Sequence, residues 1–106
     1  MTQELIDKKF VTYGEDFIAE TELSYFLLNP KRPEEKMYGV RILKESIENG
    51  ARISEDNSTD LLFSDGGEAL TFLKMLIKYE VTPIALTAVL EDYLSDYEVL
   101  KNALTA

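Results

Sequence analysis

Between Thr21 and Leu28 the apolar residues alternate. Leu23, Tyr25 and Leu27 fall on one side of an extended chain, and Phe26 and Leu28 on the other. This predicts a strand ending near Leu28, inside a stretch rich in β-branched and aromatic residues that starts at Phe10. Residues 2–9 are polar apart from Leu5 and Ile6, and admit either a short helix or a loose arm. NPKRPEEK (29–36) reads as a loop, because Pro30 and Pro33 remove ladder donors and fix their own φ. Asn49-Gly50 then marks a two-residue hairpin turn, both residues tolerating positive φ. With that turn, Glu48 opposes Ala51, Ile47 opposes Arg52 and Ser46 opposes Ile53. One face collects Tyr38, Val40, Ile42, Ala51 and Ile53. The other collects Arg41, Glu45, Arg52 and Ser54, with Leu43 and Ile47 as apolar exceptions. Glu55–Asp60 is polar and reads as irregular, and Leu61-Leu62-Phe63 as a short strand or an apolar plug.

The period then changes from two to helical. Ala69, Phe72, Leu73, Leu76 and Ile77 recur on one stripe, with Lys74 and Lys78 off it. Asp65 is placed to cap this helix, with Glu68 at capping-box spacing, and the helix ends near Tyr79 or Glu80. Thr82 and Pro83 suit the N-cap and first position of a second helix. Leu86, Leu90, Tyr93, Tyr97, Leu100 and Leu104 follow at steps of four and three, so that helix is predicted to reach about Leu104, with Ser95-Asp96 its weakest point. The predicted class is α+β: a small antiparallel sheet of three to four strands followed by a C-terminal αα-hairpin packed on one face. A length of 106 residues predicts one domain over 1–106.

Composition narrows the chemistry. With neither cysteine nor histidine, no disulfide, thiolate or imidazole metal site and no histidine-assisted nucleophile can be built. The net charge of −9 repels DNA, RNA and anionic membranes alike. There is no signal-peptide layout and no apolar run long enough to span a bilayer, so the expected location is cytoplasmic. The turn between the two helices invites comparison with a helix-turn-helix. A recognition helix needs donors at its N-terminal positions, yet Pro83, Ile84, Ala85 and Leu86 fill them, with acidic residues following and no Lys or Arg between Tyr79 and Leu100. Gly66-Gly67 before a helix could cradle a phosphate, but Asp65 and Glu68 flank it, so capping is the expected role.

Three further constellations bear on function. Glu55-Asp56 with Asp60, and Glu91-Asp92 with Asp96, are carboxylate groups that could hold a hard cation in a small metal-dependent enzyme. Neither has EF-hand spacing, and solvated acidic faces are expected instead. Lys31, Arg32, Lys36, Arg41 and Lys44 lie near Tyr25, Phe26 and Tyr38, as a single-stranded RNA-binding sheet would require. Tyr38 and Arg41 nevertheless fall on opposite faces. No catalytic, cofactor-binding or metal residue is assigned and no cofactor is expected. The surplus of apolar surface carries more weight. Leu43 and Ile47 on the polar side of the hairpin, with Leu94, Tyr97, Leu100 and Leu104 on the last helix, are the candidate interaction surface. The expected function is a non-enzymatic protein-interaction or regulatory module whose partner is a protein or a second copy.

AETELSYFLL (19–28), YGVRI (38–42) and EVTPIAL…VLEDYL (80–94) resemble a group of short uncharacterised Firmicute proteins of clostridial type, a domain of unknown function. The resemblance covers most of residues 19–94 and departs in 51–68. It implies a cytoplasmic bacterial protein and no catalytic activity.

Overall fold

The computed structural model describes residues 2–13, 19–30, 37–48, 50–59 and 63–105, with side chains described at 3–11, 21–30, 37–47, 50–59 and 63–95. Four strands form one antiparallel sheet in sequential order: β1 (Thr2–Tyr13), β2 (Ala19–Asn29), β3 (Gly39–Glu48) and β4 (Ala51–Ser58). Two helices follow, α1 (Gly66–Lys78) and α2 (Leu86–Thr105). The α+β architecture matches the expectation from the sequence.

Register decides which side chains meet the helices. Tyr25 pairs with Ile42 and Leu27 with Val40, so the alternating residues of β2 and β3 stand together on one face. Leu23, Tyr25, Val40 and Ile42 are fully buried there, against Ala69, Phe72, Leu73 and Leu76 of α1. The β3–β4 register is the one expected, with Glu48 opposite Ala51 and Ser46 opposite Ile53. Gly50 takes φ +78°, as its place in the turn demands; Asn49 lies outside the described residues. At the far end of the hairpin, Thr59 extends the pairing: its N–H donates to the Val40 carbonyl and its hydroxyl accepts from the Val40 N–H.

The strand expected to end near Leu28 is β2, and Phe10–Tyr13 at the start of the same β-rich stretch closes β1. Two expectations need correction. Residues 2–9 are neither helix nor loose arm; they form the first two-thirds of β1. Glu55–Ser58 is not irregular but completes β4. An edge strand with one neighbour carries charge without penalty, and charge there discourages edge-to-edge aggregation, so poor alternation does not exclude pairing. Phe63 bridges to Tyr38 through two backbone hydrogen bonds of 2.6 and 2.9 Å, while Leu61 and Leu62 lie outside the described residues.

The helical connection is tightly specified. Asp65 caps α1, its carboxylate accepting from the Gly67 N–H at 3.0 Å. Beyond the C-cap residue Tyr79, Glu80 adopts φ +50°. Glu80 N–H donates to the Ile77 carbonyl and Val81 N–H to Leu76, the two bonds of a Schellman motif. The buried Tyr25 hydroxyl donates to the Val81 carbonyl at 3.1 Å, fastening the end of this turn to the sheet. Thr82 and Pro83 do not start α2 directly. They lead a single tight turn, with Ala85 N–H donating to Thr82 and Leu86 N–H to Pro83, and the helix begins at Leu86. Leu86 is buried, and Val89, Leu90 and Tyr93 pack on the core, with the Tyr93 ring 4.8 Å from Phe72 and 6.4 Å from Phe63. Glu91 and Asp92 are exposed, as an amphipathic rod on the core requires.

Candidate interaction face

Both helices lie on one side of the sheet, which leaves the other side uncovered by helix. The uncovered face is built by the residues that alternate with the core set. Cross-strand rows run Leu5–Phe26–Arg41–Ser58, Lys8–Ser24–Leu43–Asp56 and Phe10–Glu22–Glu45–Ser54. Ile47 faces Arg52 in the next row. Leu5, Phe10 and Ile47 are 46%, 79% and 48% exposed, which is too open for residues that merely support a core. Phe26 and Leu43 are half-buried among their neighbours.

A bulge makes this face. The β1–β2 register shifts between Leu5 and Asp7, leaving Ile6 as the extra residue. In a regular strand, Leu5 and Phe10 are five residues apart and point to opposite sides. The bulge restores both to the open face and turns Ile6 and Val11 toward the core, where they pack. Phe10 and Ile47 stand at the rim of a shallow hollow of about 150 Å³, which Glu22, Glu45 and Arg52 help to line.

Two of the cations on this face, Lys8 and Arg41, are paired across strands. Arg41 donates two hydrogen bonds to the Asp56 carboxylate, at 2.8 Å from Nε and 2.6 Å from Nη2, and a third to Gln3 Oε1 at 2.8 Å. Its guanidinium lies 5.5 Å from the centre of the Phe26 ring. The hydrogen bond from Arg41 holds the Asp56 carboxyl below its ordinary pKa and the guanidinium above its own. Lys8 Nζ sits 2.9 Å from Glu22, and that hydrogen bond raises the ammonium pKa. The face therefore presents apolar side chains among ion pairs that are already made.

The residues singled out from sequence are divided by the sheet. Leu43 and Ile47 lie on the open face, whereas Leu94 is half-buried on α2, on the helical side. The side chains of Tyr97, Leu100 and Leu104 lie outside the described residues. The first acidic group is also split, while Glu91 and Asp92 are both exposed on α2. Asp56 turns to Arg41 on the open face, while Glu55 turns to the helical face, 3.9 Å from Lys44. Asp60 and the Asp96 side chain lie outside the described residues, and among those described no three His, Cys, Asp or Glu side chains are placed to share a metal ion. Lys31, Arg32 and Lys36 also lie outside. The open face nonetheless sets Phe10 and Phe26 beside Lys8, Arg41 and Arg52, an interleaving that pairing Arg41 with Tyr38 could not reveal. Gly66 lies against the Tyr38 ring and the Gly67 N–H is taken by Asp65, so the cap serves the helix rather than a phosphate. No helix among the described residues is long and apolar enough to cross a membrane.

Sequence reasoning missed Leu5, Phe10 and the pairing of Lys8 with Glu22, all of which depend on β1 being a bulged strand. No curated protein and no solved structure matches the chain. The sequence matches a family of unknown function (DUF6514) over residues 5–96, which takes in most of the sheet, all of α1 and about the first half of α2, and the chain belongs to that family.

Proposed function

We propose that the protein is a non-enzymatic protein-interaction module that binds through the open face of its sheet. The observation that carries this reading is the grouping of Leu5, Phe10 and Ile47, all largely exposed, on the face opposite the helices. Apolar side chains in a frame of satisfied polar groups are the ordinary composition of a protein-binding patch. Single-stranded RNA is disfavoured, because Glu22, Glu45 and Asp56 share the face with the three cations and Asp56 already holds Arg41.

A photo-crosslinking amino acid at position 10 tests this in cells, with the same group at Ile84 as a control. Ile84 is equally exposed but lies on the helical side. Position 10 is expected to yield crosslinked protein that position 84 does not. Crosslinks to nucleic acid alone, or none above the control, would refute the reading.

A further inference from the structure

We infer that the occupant of the open sheet face is a second copy of this chain, packed face to face; the inference rests on the reading of that face as a protein-binding surface. Charge is compatible with this occupant and sets its orientation. The chain carries −9, yet among the residues whose side chains are described the open face has three cations (Lys8, Arg41, Arg52) and three carboxylates (Glu22, Glu45, Asp56), with Glu20 placed on the same face by its register. Most of the excess negative charge is therefore carried elsewhere. A basic partner would be drawn to that acidic remainder and would gain little from a nearly neutral face. Two copies of an acidic chain repel least when they meet through these nearly neutral faces, and most when they approach through their acidic surfaces.

Area is consistent with the same occupant. Four strands at roughly 4.8 Å spacing, each presenting roughly eight residues at about 3.3 Å, give a face of roughly 500 Å² before side-chain relief. Two such faces bury at least roughly 1,000 Å², the lower bound for a specific interface and the range of reversible dimers. Two apolar sheet faces stack about 10 Å apart, close enough for Phe10 and Ile47 of one copy to be covered by the other.

Sedimentation equilibrium of the full chain tests the inference. The expected result is a concentration-dependent species of twice 12.1 kDa. It should tighten as salt rises from about 20 to about 500 mM, because screening relieves the repulsion between two acidic bodies. Phe10→Asp and Ile47→Asp should each weaken association at least about 10-fold while leaving the melting temperature of the dilute monomer unchanged. Ile84→Asp should leave association intact. A single 12.1 kDa species up to about 1 mM, a dimer that survives both face substitutions, or association that salt abolishes would each overturn the inference. If the wild type stays monomeric while position 10 crosslinks to a different protein, the second copy is excluded and the interaction module stands. If it crosslinks to no protein, both fall.

Discussion

The packing of α2 on the core rests on an aromatic cluster that a double-mutant cycle can measure. Phe72 is fully buried on α1, and its ring centre lies 4.8 Å from Tyr93 and 5.4 Å from Phe63. Phe72→Leu removes three carbons, which at about 0.8 kcal/mol per buried methylene equivalent costs roughly 2 kcal/mol. Loss of the ring pairs adds to that. Tyr93 is half-buried, so Tyr93→Leu should cost less, about 1–2 kcal/mol. A domain of this length has roughly 5–15 kcal/mol of total stability, so both single variants and the double variant should stay folded. Aromatic pairs in this geometry are worth about 0.5–1.5 kcal/mol beyond their buried area, and that is the coupling expected between positions 72 and 93. Urea unfolding monitored by circular dichroism reads each corner of the cycle, with the slope checked for constancy across variants. A second cycle pairing Phe72→Leu with Phe10→Ala, across the sheet, should be additive. A 72–93 coupling below about 0.3 kcal/mol would show that the two rings do not interact, and the docking of α2 would have to be abandoned.

Three further outcomes follow from local geometry. Glu80→Gly should stabilise by about 0.5–1 kcal/mol, because glycine takes positive φ without strain and the Lys9–Glu80 ion pair that it removes is long and half-exposed; thermal melting decides the sign. Gly67→Ala should also stabilise, by up to about 1 kcal/mol, since the new methyl meets only the Asp65 side chain at ordinary van der Waals distance. Gly66→Ala should gain less or lose, its methyl lying 3.1 Å from the Tyr38 ring; equal gains at both positions would refute that close approach. In acid, Asp56 binds fewer protons folded than unfolded. Its contribution is therefore fully present above the ordinary carboxyl pKa of about 4 and is lost as pH falls through the lower folded value. Asp56→Asn should flatten that part of the acid stability profile, and an unchanged profile would show that the Arg41 pair does not persist in solution.

Where a segment's partners are implied by its own pattern, the sequence was readable. The β3–β4 register followed from one turn and one alternation. The two helices followed from a 3.6-residue stripe, a cap and a proline, although Pro83 proved to lead a turn before the helix rather than to begin it. The Schellman motif after α1 was not readable, because the residue taking positive φ is a glutamate and not the glycine that would announce it. β4 was cut short because its second half, Glu55–Ser58, satisfies the demands of an edge and not those of a core.

The interaction face was the least legible part, and the cause is a single residue. Leu5-Ile6 and Phe10-Val11 are two apolar pairs five apart, and a regular strand would put Leu5 with Val11 on one face and Ile6 with Phe10 on the other. The bulge at Ile6 regroups them, putting Leu5 with Phe10 on the open face and Ile6 with Val11 toward the core. A bulge has no signature at its own position here; its evidence lies in the partner strand, where Phe26 and Tyr25 take up consecutive places against Leu5 and Asp7. The polar contacts share that dependence, since the Lys8 ammonium reaches Glu22 and the Arg41 guanidinium donates to the Gln3 amide only once β1 lies beside β2 in this register. Deleting Ile6 therefore separates the face from the fold: the strand can still pair, but one end of it must turn over. Either Leu5 enters the core and Gln3 leaves Arg41, or Phe10 turns inward and Val11 outward. The first outcome weakens the Arg41–Asp56 cluster, and the second removes the most exposed aromatic from the face, so in both cases association should fail before stability does.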